Sequence, residues 1–331
     1  MPPRNPNAEP KPFVWVPIPS EGPQRREPTT HERFVGLTGV LEFTLTVNSA
    51  YLFVGSGAYE FDPNARGDRP DVWYTFYRRN GQLCIPGTSL KGAIRSIVEA
   101  ITNSCVSQYK RGEEIPLSHQ RCSYRPGKQE NLCPACRLFG VAGLRGRVHF
   151  ADAIPVGRIE TEIIKIGELW EPSRQEEQNR KFYQAKRYAE LSDKRPQTGY
   201  RFVEAVKREA SFQCRMYFEN VAEAELGLLF FALGCEKDEE KVVIGFTPKI
   251  GGAKPRCLGA VVFGKPKVVL RGGSTLKDFL HARSLTGDGA IRFLQQCMQK
   301  CQESGLIHKS SWEKFRSEMR DRDEFCPKGM Y

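Results

Sequence analysis

Three cysteines and a histidine crowd the stretch SHQRCSYRPGKQENLCPACRLFG. Cys133 and Cys136 form a C-x-x-C pair, Cys122 stands eleven residues earlier, and His119 three before that. Zinc takes four nitrogen or sulfur donors in a tetrahedron, and ligands paired on short turns either side of a flexible span supply them. The spacing predicts a structural zinc site from Cys122, Cys133 and Cys136, with His119 or Cys105 as the fourth ligand. A redox dithiol is a rival use of C-x-x-C, but that pair belongs just after a strand, at a helix start within a β-α-β unit. Incidental free thiols are the remaining reading.

A second pattern is made for anions. Residues 85–96 read IPGTSLKGAIRS, where an apolar helical pattern begins. Thr88 or Ser89 is expected to cap that helix, leaving first-turn N–H groups outward at the positive end of its dipole. Gly87 and Gly92 admit another backbone, and Lys91 and Arg95 add charge, so the entrance suits a phosphate. It lacks the Gly-Lys-Ser/Thr order of a Walker loop, and an ordinary capped helix with solvated cations would read the same way. Further on, IGGAKPRCLG sets Gly251 and Gly252 before Lys254 and Arg256. Such a turn can wrap a sugar-phosphate chain without reading bases, unless it is simply a hairpin that happens to be basic.

Carboxylates gather between Gly55 and Asp71 as Glu60, Asp62, Asp68 and Asp71. Each is foremost a turn residue, although an aspartate beside a bound RNA backbone would position a divalent ion or accept a 2′-hydroxyl proton. His31, His149, His281 and His308 are scattered, and no serine–histidine–acid set emerges.

The charge balance favours a polyanionic partner. The net charge is +11 from 50 basic and 39 acidic residues, but its placement says more. From Lys241 to Arg271 there are seven Lys or Arg and no carboxylate; from Arg121 to Arg147 there are six against Glu130 alone. Both stretches are glycine-rich, so positive charge lies where backbone amides are accessible; a merely solvated basic face is the bland alternative. No apolar run approaches the roughly 18 residues of a membrane span, and the Pro-rich start has no signal-peptide core. Eleven cysteines without framework spacing suggest a cytoplasmic chain with mostly reduced thiols and no membrane partner.

The elements that must position these residues follow from hydrophobic period. Residues 1–33, with nine prolines in the first 28, form an extended tail expected to dock late, if at all. Leu41, Phe43, Leu45 and Val47 alternate as a half-buried strand, and Gly55 to Asp71 reads as a long loop. Leu90, Ile94, Ile97 and Ile101 mark helix one. An irregular insertion, about 105–146, ends at a strand near Val148 to Ala153. The basic, aromatic stretch about 171–209 is a candidate protruding element. Phe212, Cys214, Met216 and Phe218 make another strand, and Leu226, Leu229, Phe230 and Leu233 a second helix over Glu223 to Leu233. Short strands reach about residue 270, and from Ser274 the pattern turns helical, with Leu276, Phe279 and Leu280 in one stripe. This order of strand, helix and strand, twice over, predicts an α+β fold with a ferredoxin-like, split β-α-β core. One core domain, 34–270, would carry both insertions, with 271–331 as a helical extension.

With IPGTSLKGAIRS, CPACRLFG, RMYFENVAEAELGLLFFAL, IGGAKPRCLG and TGVLEFTLTVNSAYLFVGSG in this order, the chain resembles the RAMP superfamily from about Thr38 to Phe263. Within it, the likeness is to the Cas-seven-like backbone subunits of type III CRISPR effector complexes. The resemblance implies a modified RRM-like palm, a thumb within residues 171–209, and head-to-tail assembly along a guide RNA with target RNA and other effector subunits as partners. It implies that Gly87, Ser89, Lys91 and Arg95, with Gly251, Gly252, Lys254 and Arg256, contact guide phosphates. In RNA-cleaving members an aspartate in the loop before the IPG motif cuts with a divalent metal such as Mg2+ or Mn2+. Asp71 has their spacing, fourteen residues before Ile85. It is followed by the strand-like DVWYTFYRR where they show a proline, which makes Asp62 the substitute candidate. The alternatives are an autonomous, metal-free endoribonuclease processing precursor guide RNA through groups such as His31 and Tyr51, and a zinc-bearing module for an acidic protein.

Overall fold

The computed structural model describes residues 9, 11–108, 115–125, 127–128, 130–169, 178–238, 241–272 and 280–328. In chain order come β1 (Phe13–Pro17), β2 (Leu37–Val47), β3 (Gly55–Phe61), β4 (Val72–Phe76), α1 (Gly87–Ile101) and α2 (Pro134–Phe139). Strands β5 (Val148–Phe150), β6 (Thr161–Gly167), β7 (Asn179–Tyr183), β8 (Tyr200–Lys207) and β9 (Ser211–Val221) follow. Helix α3 (Glu223–Ala232), strands β10 (Val261–Arg271) and β11 (Arg283–Leu285), and helices α4 (Gly287–Glu303) and α5 (Lys309–Met319) come next, and shorter strands and turns join these principal elements.

The fold is α+β. The main sheet runs β5-β9-β2-β10-β11 with every neighbouring pair antiparallel. The unit β2, α1, β5 is split by β9, and the unit β9, α3, β10 is split by β2. Period-two alternation does the sorting. Leu41, Phe43 and Leu45 of β2 face Met216, Cys214 and Phe212 of β9 in register, all buried. On the opposite face Glu42 pairs with Arg215 (2.9 Å) and Lys267 (3.4 Å).

Helix α3 is buried around its circumference, including Leu228 and Phe231, which the sequence pattern leaves outside its core stripe. The C-terminal helices explain the difference. α4 packs along α3, and Trp312 of α5 meets Phe231 edge-on at 5.3 Å between ring centres. A helix apolar on all sides needs such cover.

A smaller sheet, β6-β8-β4-β3, stands beside the core, with only the β8–β4 pair parallel. Three sequence expectations change here. Gly55 to Phe61 is not loop but strand β3, because Tyr59 and Phe61 pair with Tyr74 and Val72; the connection shrinks to 62–71. The proline-rich tail is docked: FVWVP, a β-prone island among the prolines, forms β1 and pairs along its whole length with β7. The stretch expected to protrude is accordingly engaged at β7, where Arg180 is buried, while residues 171–177 of it lie outside the described residues. So do residues 273–279, which carry Leu276 and Phe279 of the expected C-terminal stripe.

One glycine sets the position of α1. A Cβ on Gly87 would lie 2.0 Å from the Phe150 carbonyl oxygen, so α1 meets the end of β5 at glycine distance, whereas nothing lies within 4 Å of a Cβ on Gly92. Gly87→Ala should therefore cost about 1–3 kcal/mol through overpacking. Gly92→Ala, in open helix, should gain about 0.5–1 kcal/mol. Urea unfolding midpoints of the two variants, moving in opposite directions, check this.

Candidate metal centre and nucleic-acid interface

Cys105, Cys122, Cys133 and Cys136 converge, buried, with all four sulfurs within 4.8 Å of one another. Cys105 Sγ lies 3.5 Å from Cys136 Sγ and 3.6 Å from Cys133 Sγ. Zinc–sulfur bonds of about 2.3 Å in a tetrahedron place sulfurs roughly 3.8 Å apart, so the quartet fits such an ion. Contact with Cys122 pushes the Cys105 thiol up, contact with Cys105 pushes Cys136 up, and Cys105 in turn holds Cys122 low. A dication held by the quartet would end this competition by stabilising all four thiolates. Four protein ligands would leave such an ion no open position, as in structural zinc sites.

His119 stands outside this set. Its Nε2 bonds Asn103 Oδ1 at 2.7 Å and its Nδ1 bonds Ser118 Oγ at 3.0 Å, and burial holds its pKa down to about 4. Cys105 takes the place because it comes just after α1, close to the start of α2, where Cys133 caps the helix and Cys136 lies within its six residues. Local spacing alone could not reveal that proximity.

Arg95 belongs to the same centre. Its guanidinium donates to Glu99 (2.8 Å), the Gly140 carbonyl (2.9 Å) and Cys136 Sγ (3.3 Å). Glu99 also faces Arg180 at 3.8 Å, and Arg180 donates to the Ser104 carbonyl at 2.5 Å. Guanidinium groups beside thiolates offset the negative charge of a four-thiolate zinc site. Arg95, expected at a phosphate, is turned inward instead.

The helix entrance also differs from expectation. The N-cap is Pro86, without a side-chain cap, and Thr88 and Ser89 sit within the first turn. Ser89 N–H donates to the Pro86 carbonyl and Gly87 N–H to Asp152 Oδ1 (both 2.9 Å). Asp152, which nothing in the sequence singled out, thus occupies an amide expected to face an anion. Lys91 is half-buried; burial first, then Arg95 and Arg145, lower its pKa.

At the glycine turn, Gly251 has φ 75° and a Cβ there would strike the Phe53 carbonyl oxygen at 2.2 Å. Gly252 N–H donates to that same oxygen at 2.8 Å. These glycines seat the turn on the Tyr51–Phe53 segment, so the Gly252 amide is already used. Arg256 is buried, donating to the carbonyls of Gly167 (3.2 Å), Glu168 (2.8 Å) and Pro327 (3.2 Å). Its neighbour Cys257 is disulfide-bonded to Cys326. Arg256 is an internal anchor, because these carbonyls, together with that of Lys328 (3.4 Å), hold its guanidinium inside the fold.

Lys254 remains available, and it faces α1. Gly92, Arg95 and Ser96 of α1, Arg180 and Lys181 of β7, and Lys249 and Lys254 line one cleft of about 250 Å³. Its lining holds those five cations and a single carboxylate, Glu99. Sequence reading missed Lys249 and Arg180 as cleft residues, although Lys249 belongs to the acid-free run noted above.

The hairpin carboxylates do not form a metal cluster; among the described residues the only convergent group of three or more metal-capable side chains is the cysteine quartet. Asp62 N–H donates to the Asp71 carbonyl (2.8 Å), closing the hairpin, and Asp62 Oδ1 accepts from Asn64 N–H (2.9 Å). Asp71 is exposed. His31 faces Glu219 at 3.3 Å and Tyr51 O–H donates to Glu162 at 3.2 Å. Tyr51 pairs with Lys207 before β9, and Glu219 lies near its far end, on the order of 25 Å away along an extended strand.

A model of the RAMP superfamily matches residues 44–240. The chain belongs to the RAMP superfamily. That membership points to a CRISPR-associated, RNA-binding role. No curated protein matches the chain. The matched span takes in the end of β2, all of α1, the cysteine quartet and α3 but stops before the glycine turn.

Purified protein should carry one zinc per chain by elemental analysis. Cys105→Ser should lose it together with most of the soluble yield, whereas His119→Gln should keep full metal content and lose only stability. Zinc lost from the His119 variant, and kept by the Cys105 variant, would reverse the assignment.

Proposed function

We propose that the chain is a guide-RNA-binding backbone subunit of a type III CRISPR effector ribonucleoprotein, helping to capture complementary target RNA. The observation that carries this reading is the cleft in which α1 and the glycine turn face each other with five cations and one carboxylate. The two segments lie about 160 residues apart in the sequence, yet together they offer one cationic groove suited to a phosphate chain. The order β5-β9-β2-β10, all antiparallel, supports a ferredoxin-like palm, and the cysteine quartet supports structural zinc beneath it. Lys254 and Lys91 are the retained phosphate-contact candidates; Gly87, Gly251, Gly252, Arg95 and Arg256 hold the two segments in shape. Ser89, half-buried in the first turn, stays a candidate through its side chain.

Recognition of this kind is mainly electrostatic, so RNA affinity should fall steeply and linearly with the logarithm of salt concentration, with little sequence preference. Lys254→Ala should weaken binding uniformly across sequences and flatten the slope by about one. Filter binding over a salt series checks both; affinity indifferent to salt would overturn the mechanism.

Cleavage is a separate matter resting on Asp71, with Asp62 as substitute. The assembled complex, given target RNA and Mg2+ or Mn2+, should lose its cuts on Asp71→Ala if that exposed carboxylate serves them. Unchanged fragments assign the cut elsewhere. Precursor RNA cut by the lone chain in chelator would instead favour the autonomous endoribonuclease.

A further inference from the structure

Most of the cleft's cations are already committed. Arg95 and Arg180 share Glu99, and each also serves a backbone carbonyl. Lys181 lies 3.8 Å from the centre of the Phe13 ring. Lys249 is different: it is 7% exposed, and its Nζ is buried with no hydrogen-bond partner. Asp321 acts on it electrostatically, but that carboxylate accepts from Thr247 N–H (3.3 Å) and Thr247 Oγ1 (2.6 Å). An ammonium buried without a partner is costly, and here it lines a cleft shared with Lys254.

We propose that Lys249 is the seat for one phosphate group of an RNA backbone lying in the cleft, its ammonium pairing with an anionic oxygen that Lys254 approaches from the rim. This rests on the RNA-binding reading above and names the residue that reading lacks. Lysine binds phosphate as a point charge, and a closed seat for one such group needs little more than two of them. Burial, followed by the charge of Lys254, holds the Lys249 pKa down to about 7. The empty site is therefore partly neutral near physiological pH, and an arriving anion recharges it. Binding takes up a proton, and affinity declines as pH rises above about 7. Lys254 presses in the same direction as burial and Asp321 opposes it; the other charged groups that line the cleft are the cations Arg95, Arg180 and Lys181 and the carboxylate Glu99.

The test is calorimetric titration of the full, zinc-bearing chain with a short oligouridylate in two buffers of unlike ionisation enthalpy. The wild type should take up a fraction of a proton per RNA bound. Lys249→Met should abolish that uptake and weaken binding about tenfold or more. Lys254→Met should weaken binding and, by removing one of the charges that hold Lys249 low, reduce the uptake without abolishing it. Asp321→Asn should leave affinity within about twofold. Inorganic phosphate should compete with RNA in the wild type and fail to bind Lys249→Met. RNA binding that is independent of pH and unaffected by Lys249→Met overturns the seat while leaving the function standing. Phosphate binding with proton uptake, but no RNA binding, keeps the seat and removes the RNA reading. Equal losses of thermal stability in Lys249→Met and Asp321→Asn with no change in affinity would make Lys249 an internal counter-ion and end the proposal.

Discussion

Helix α1 is clamped at both ends, and the positions of both candidate sites follow from that. At its start, Gly87 lies against the Phe150 carbonyl and its N–H is held by Asp152. Ile85 makes a two-way bridge to Ala153 on the same side. Near its end, Arg95 reaches Cys136, and Cys105 follows four residues after Ile101. A helix fixed in this way can neither slide nor rotate, so its exposed face presents a constant wall to the cleft. Rigid support of this sort is what precise positioning of a charged ligand requires.

The electrostatics divide along the same helix. The thiolates, Glu99, Arg95 and Arg180 form a compact network whose charges offset one another. Lys249 and Lys254 line the same cleft as Arg95, Arg180 and Glu99, but among the described residues no carboxylate is in direct contact with either lysine. Buried networks are stabilising only when their members are satisfied. The contrast between the satisfied network around the cysteine quartet and the two unpaired lysines across the cleft therefore separates architecture from binding.

The sequence was most legible where chemistry repeats at a fixed period. Alternation in β2 and β9, and the apolar stripe of α1, place the core residues where they are found. The C-x-x-C pair and Cys122 likewise lie in one quartet. What could not be read is whatever depends on distant partners. Arg256 looks like a surface cation until residues 327 and 328 supply carbonyls to it. Gly251 and Gly252 look like an amide cradle until the Phe53 carbonyl fills it. The tail looks unattached because β7 is more than 160 residues away. Residue type reports that a group can donate or approach closely; only topology decides what is already there to receive it.

The anchoring of Arg256 and Cys257 by residues 326–328 also has a temporal side. The disulfide closes a separation of 69 residues, and contacts between distant residues form late. During synthesis the turn that carries Lys254 leaves the ribosome before its anchor does. A nascent chain thus has all four cysteines of the quartet in place while the opposing wall of the groove still lacks its tether, and the groove acquires its final width only once residues 326–328 have docked.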